Sequence, residues 1–224
     1  MDEGPGRPFG TAATAGVVCA LAVPLVYHLL IDPYLVVDIA EPAERAVVGY
    51  AVWWLLAGAL LAVTLFAERR PVSSVGMKRP SLRLLGLAAV TGVALSLLVP
   101  LVAVVLDAAG GGPSDVTDVA ADTVLWVLAA GVVTAAVTEE VVFRGYALER
   151  LMEWTGRRWL SAAMSLAVFV AIHVPGWSPA HVVGVVLPLG AALTGLYLWK
   201  RNLPFVITVH LVVNAPLLVL ALAQ

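Results

Sequence analysis

Residues 134–151 read TAAVTEEVVFRGYALERL and place Glu139, Glu140 and Arg144 within one short run. Glu140 and Arg144 stand at i and i+4, so they share a helix face, with the acid N-terminal as an ion pair prefers. Glu139 is about 100° around the helix and cannot share that partner equally. Two more pairs follow. AVFVAIHVPG puts Phe169 four residues before His173, so the ring can pack beneath the imidazole, and ITVHLVVNAP puts His210 four before Asn214. A carboxylate beside a histidine in a dry pocket is a good general base for water. A second histidine with an asparagine can donate hydrogen bonds to a developing oxyanion. Together these make a hydrolytic set. No serine or cysteine is placed to act as nucleophile, and the zinc signature H-E-x-x-H is absent.

Each pair also has a plainer structural reading. Glu140 with Arg144 can be a buried salt bridge, His173 a satisfied apolar-helix histidine, and His210 with Asn214 a helix–helix contact worth ~1 kcal/mol. The salt bridge leaves Glu139 unexplained.

The elements that must position these residues are membrane helices. The 224-residue chain is 61% hydrophobic and only 12% charged, about half the charge of a soluble protein. Its mean hydropathy is +0.97. Apolar segments fall near 11–31, 46–67, 84–106, 120–149, 159–174, 180–199 and 204–223, each long enough or nearly so to cross a hydrocarbon layer of ~30 Å. The expected fold is all-α, a polytopic bundle of about seven transmembrane helices forming one domain over 1–224. The lipid bilayer is its first partner, and no nucleic-acid partner is expected.

Arg7, Arg144 and the loops between segments 2 and 3, 4 and 5, and 6 and 7 hold twelve of the thirteen Lys and Arg residues; Arg45 is the exception. The alternate loops are acidic. The positive-inside rule makes the basic side cytoplasmic, with the N-terminus inside a cell membrane. The first apolar run reads as an uncleaved helix, since MDEGPGRPFG is a poor secretory leader. Cys19 within it is expected to be a buried structural thiol. Asp118, in the polar loop 109–118, is a candidate N-cap for the fourth helix. His28 reads as structural or interfacial and His181 as solvated. Trp154, Trp159, Trp177 and Trp199 fit interfacial anchoring, while Trp53-Trp54 sit deeper without an evident role.

At 1.5 Å per residue, Glu140 lies ~15 Å from Arg150, His173 ~21 Å from Trp159 and His210 ~9 Å from Pro204, all around mid-membrane. The ordered motifs Glu139-Glu140-x-x-x-Arg144-Gly145, Phe169-x-x-x-His173 and His210-x-x-x-Asn214 resemble the CAAX-protease and bacteriocin-processing family of intramembrane endopeptidases. That family includes the Rce1-type prenyl-protein proteases and bacterial Abi proteins. The resemblance covers roughly 120–220, the expected catalytic core.

The resemblance implies that Glu140 activates water, that His173 orients or shares it, and that His210 and Asn214 form the oxyanion site. Glu139 would support that set, Arg144 would hold the carboxylates in place, and Phe169 would line or pack the pocket. The expected substrate is a peptide or a membrane-anchored protein. No cofactor is favoured, although Glu140, His173 and His210 have the composition of a His₂Glu zinc site. The competing readings are a proton-coupled transporter, which needs buried Glu/His chains too, and a non-catalytic immunity or scaffold protein.

Overall fold

The computed structural model describes residues 10–36, 41–108 and 123–223. Among these every regular element is helical. Among the described residues six helices are long and apolar enough to cross a membrane: α1 (Thr11–Tyr34), α2 (Pro42–Ala67), α3 (Leu82–Ala108, its apolar span Leu82–Val99), α4 (Leu125–Thr155), α6 (Pro179–Lys200) and α7 (Leu203–Leu222). The seventh, α5 (Arg158–Ala171), has 14 residues, or about 21 Å of rise, short of a full crossing. The chain is a multi-pass membrane protein. The candidate cap Asp118 and the loop 109–118 lie outside the described residues.

The fourth segment is longer than its hydropathy implies. It runs on to Thr155 because its last turns are amphipathic and their charges find partners. Arg150 reads from sequence as a loop cation, yet it is fully buried. Its guanidinium reaches Glu68 Oε2 at 2.6 Å, Glu153 Oε1 at 3.1 Å and Ser74 Oγ at 3.0 Å. The Tyr146 hydroxyl donates to Glu68 Oε1 at 2.6 Å, and Arg70 pairs with Glu153 at 2.6 Å. Nearby, Tyr197 donates to Glu149 Oε1 at 2.6 Å, and Arg201 pairs with the other oxygen of that carboxylate. This network pins the basic ends of α2, α4 and α6 together.

The middle of α4 is the centre of the bundle. Thr138 through Ala147 are all buried, and α1, α2, α5 and α7 pack around them. A helix covered on every side normally reads as uniformly apolar; here the covered stretch includes Glu139, Glu140 and Arg144. Ala135–Ala147 also winds in wider, π-helical turns, a geometry found often at functional sites. On α1, Gly16 lets the Tyr146 ring approach the backbone, because a Cβ there would overlap the hydroxyl.

Cys19 is exposed, which corrects the expected buried thiol. The packed face of α1 carries Ala13, Gly16, Val17 and Ala20, and Cys19 is roughly 120° from its centre at 100° per residue. His181 is half-buried and stacks on Trp177, with ring centroids 4.3 Å apart. Trp154, Trp159 and Trp199 are exposed on the outer surface.

Candidate active site

Three helices deliver the candidate residues. Glu140 and Arg144 come from the wide turns of α4 and make the expected pair, Arg144 Nη1 donating to Glu140 Oε1 at 2.9 Å. They are 0% and 1% exposed at the side chain. Burying a charge pair is costly unless other hydrogen bonds complete it. Those come from α6: Arg144 Nη2 donates to the Gly190 carbonyl at 3.0 Å, and Nε to Thr194 Oγ1 at 3.4 Å. Thr194 Oγ1 in turn donates to the Gly190 carbonyl at 2.8 Å. Gly190 is small for a reason, since a Cβ there would come within 2.9 Å of Leu166 and the Phe169 ring.

α7 brings His210, whose Nδ1 lies 2.9 Å from Glu140 Oε1. A carboxylate only accepts, so Nδ1 carries the hydrogen. One oxygen of Glu140 therefore takes two N–H donors. The other, Oε2, is buried and has no hydrogen-bond partner among the described residues. The start of α7 is fixed by Asn202, whose side chain accepts from Phe205 N at 3.0 Å and donates to the Lys78 carbonyl at 3.2 Å. This N-cap sets where His210 falls along the helix.

His173 sits just past α5, in a turn closed by His173 N to Val170 O at 3.0 Å. The sequence reading kept the helix to 174. It ends at Ala171 because Pro175 has no N–H to give the Ala171 carbonyl four residues back, and its ring would clash with that carbonyl. The i, i+4 relation to Phe169 survives. The rings are 4.7 Å apart between centroids, and His173 Nδ1 donates to the Phe169 carbonyl at 2.7 Å. That bond leaves Nε2 as the acceptor nitrogen. The Phe169 ring also lies under Arg144, 4.3 Å from the guanidinium carbon, and edge-on to Phe143 at 5.5 Å. Ser165 ties α5 to α4 through a 2.9 Å bond to the Phe143 carbonyl.

Glu140, Arg144, Phe169, His173 and His210 thus form one connected cluster. Asn214 is half-buried one turn beyond His210 and makes no hydrogen bond among the described residues. Glu139 is buried but likewise has no partner there, so Arg144 holds one carboxylate rather than two. The sequence reading missed Thr194 and Gly190. It also left Trp53 and Trp54 without an account. Trp54 Nε1 donates to Thr134 Oγ1 at 3.0 Å. Trp53 is buried with its ring 6.1 Å from Phe143 and 5.9 Å from His28, which brings the first two helices to the edge of the cluster.

The donor set does not fit a His₂Glu zinc site. Among the described residues no three His, Cys, Asp or Glu side chains are grouped to hold a metal ion. The Arg144 cation is already bonded to the carboxylate that a zinc ion would need, so no step is routed through a metal.

A search of curated proteins and one of solved structures gave no significant match. A family model described as type II CAAX prenyl endopeptidase Rce1-like matches residues 121–216. That stretch contains all three motifs and every residue of the cluster. Over residues 121–216, this chain is similar to the Rce1-like CAAX endopeptidase family.

Proposed function

We propose that the protein is an intramembrane endopeptidase that hydrolyses a peptide bond with water activated by Glu140. The observation that carries this reading is the asymmetry of the Glu140 carboxylate. Oε1 is held by Arg144 and His210, while the buried Oε2 has no partner among the described residues. An acceptor so placed gains most from a donor such as water.

In this reading a water donates one hydrogen to Oε2 and the other to His173 Nε2. As its oxygen attacks the peptide carbonyl carbon, the proton passes to Glu140, and the carbonyl oxygen becomes an oxyanion. Asn214 donates its side-chain N–H to that oxygen. His210 adds its Nε2–H only when doubly protonated, because its Nδ1–H is committed to Glu140. Collapse breaks the C–N bond, and Glu140 returns the proton to the leaving amine. The products are a carboxylic acid and an amine, and the enzyme is regenerated. Glu139 supports the set from the next position, and Phe169 packs its floor.

The substrate is a peptide or a membrane-anchored protein reaching the mid-membrane site, with the basic side of the bundle cytoplasmic in a cell membrane. The test compares protein termini in membranes of cells carrying wild type or Glu140→Gln, then repeats the cleavage with purified protein. The reading requires termini that vanish with Glu140→Gln and return with wild type. A purified Glu140→Gln protein that still cleaves at the wild-type rate would rule out Glu140 as the base.

A further inference from the structure

A cavity of about 310 Å³ lies between the last turns of α1 and the first turns of α2, lined by Tyr27, His28, Asp32, Arg45, Tyr50 and Trp53 among others. It is at the end of the bundle away from the basic loops, and Arg45 is the one base that breaks the charge split. Arg45 Nε is buried and has no hydrogen-bond partner among the described residues. Asp32 lines the same cavity, yet the two make no ion pair among the described residues. A buried guanidinium N–H left unmatched is costly, which argues for an anionic partner. A bare anion would meet Asp32, so a ligand carrying both charges matches the lining better. The faces of Tyr27 and Trp53 suit an ammonium group. Asp32, Pro42 and Arg45, at the last turn of α1 and the first turn of α2, put the mouth of the cavity at the helix ends, where headgroups lie. The volume is at the low end of the ~300–1,000 Å³ of small-ligand sites, enough for a headgroup.

We propose that this cavity binds the headgroup of a zwitterionic phospholipid, with the phosphate on Arg45 and the ammonium between Asp32 and the aromatic rings. The site shares a wall with the catalytic cluster, since His28 packs on Trp53 and Trp53 on Phe143.

The test titrates the detergent-solubilised full chain with phosphatidylethanolamine and, separately, phosphatidylglycerol, reading bound lipid by native mass spectrometry. Wild type should hold phosphatidylethanolamine about tenfold more tightly, equivalent to ~1.4 kcal/mol. Arg45→Gln and Asp32→Asn should each remove most of that preference. Ala46→Trp, which fills the cavity but keeps both charges, should do the same. Helix content and elution volume matching wild type show that each variant is folded. Equal binding of the two lipids by wild type would overturn the proposal. So would phosphatidylethanolamine binding that is unchanged by any of the three substitutions.

Discussion

Phe169 holds His173 twice, once through its carbonyl, which accepts the Nδ1 hydrogen at 2.7 Å, and once through its ring, 4.7 Å from the imidazole. The backbone contact selects the tautomer, and the ring sets the tilt. The same ring carries Arg144 on a cation–π contact, so one side chain touches both the imidazole and the guanidinium that holds Glu140.

Phe169→Leu separates these contributions. The carbonyl remains and the ring is lost, which removes one aromatic contact and one cation–π contact of about 1 kcal/mol each. The expected result is a drop in kcat of roughly tenfold or more, with KM little changed. Steady-state kinetics of the purified variant would show it.

Glu139 and Glu140 are neighbours with different surroundings, and their amide variants should differ. Glu140→Gln removes the proposed base, and losses for such groups run about 10²–10⁴-fold in rate. Glu139→Gln leaves Arg144, His210 and the Glu140 carboxylate as they are, so a loss of about tenfold or less is expected. Parallel single-turnover assays check the ranking; equal losses would assign Glu139 a direct part in the reaction.

Arg144→Met strips Glu140 of its cation and should destabilise the fold by about 3–5 kcal/mol. Adding Glu140→Gln removes the stranded charge. The double variant should therefore be more stable than the sum of the singles implies, a coupling that a double-mutant cycle measures. Unfolding in mixed micelles supplies the four stabilities.

Treatment with a strong zinc chelator should leave cleavage by the purified protein unchanged, because the carboxylate is bonded to Arg144 and His210 rather than arranged for a metal. Elemental analysis of the same sample gives the independent check. Activity lost on chelation and restored by zinc would reverse the assignment.

The sequence made the membrane spans legible because hydropathy is local and additive along the chain. The three polar pairs were legible because charge is rare in such a chain. What escaped was non-local. Arg150 reads as one more cytoplasmic cation, since its partners Glu68 and Ser74 lie far away in sequence and meet it only in the folded bundle. Thr194 and Gly190 are a threonine and a glycine in an apolar helix, with no pattern to mark them as the seat of Arg144. The place of Trp53 beside Phe143 depends on how α2 leans on α4. His28 met Trp53 for the same reason. Cys19 misled because burial on α1 is set by which face packs, not by segment hydropathy.

The pairing of Glu140 with Arg144 inside a single helix also bears on how the chain enters the bilayer. During synthesis α4 emerges before α6 and α7, so Gly190, Thr194 and His210 do not yet exist to receive its charges. A partner four residues away is present from the first moment, and an ion pair formed within one helix lowers the cost of carrying both charges into hydrocarbon. The bond that later orients the carboxylate therefore also eases the helix's passage into the membrane, with Glu139 the one charge in the triplet that has no partner among the described residues.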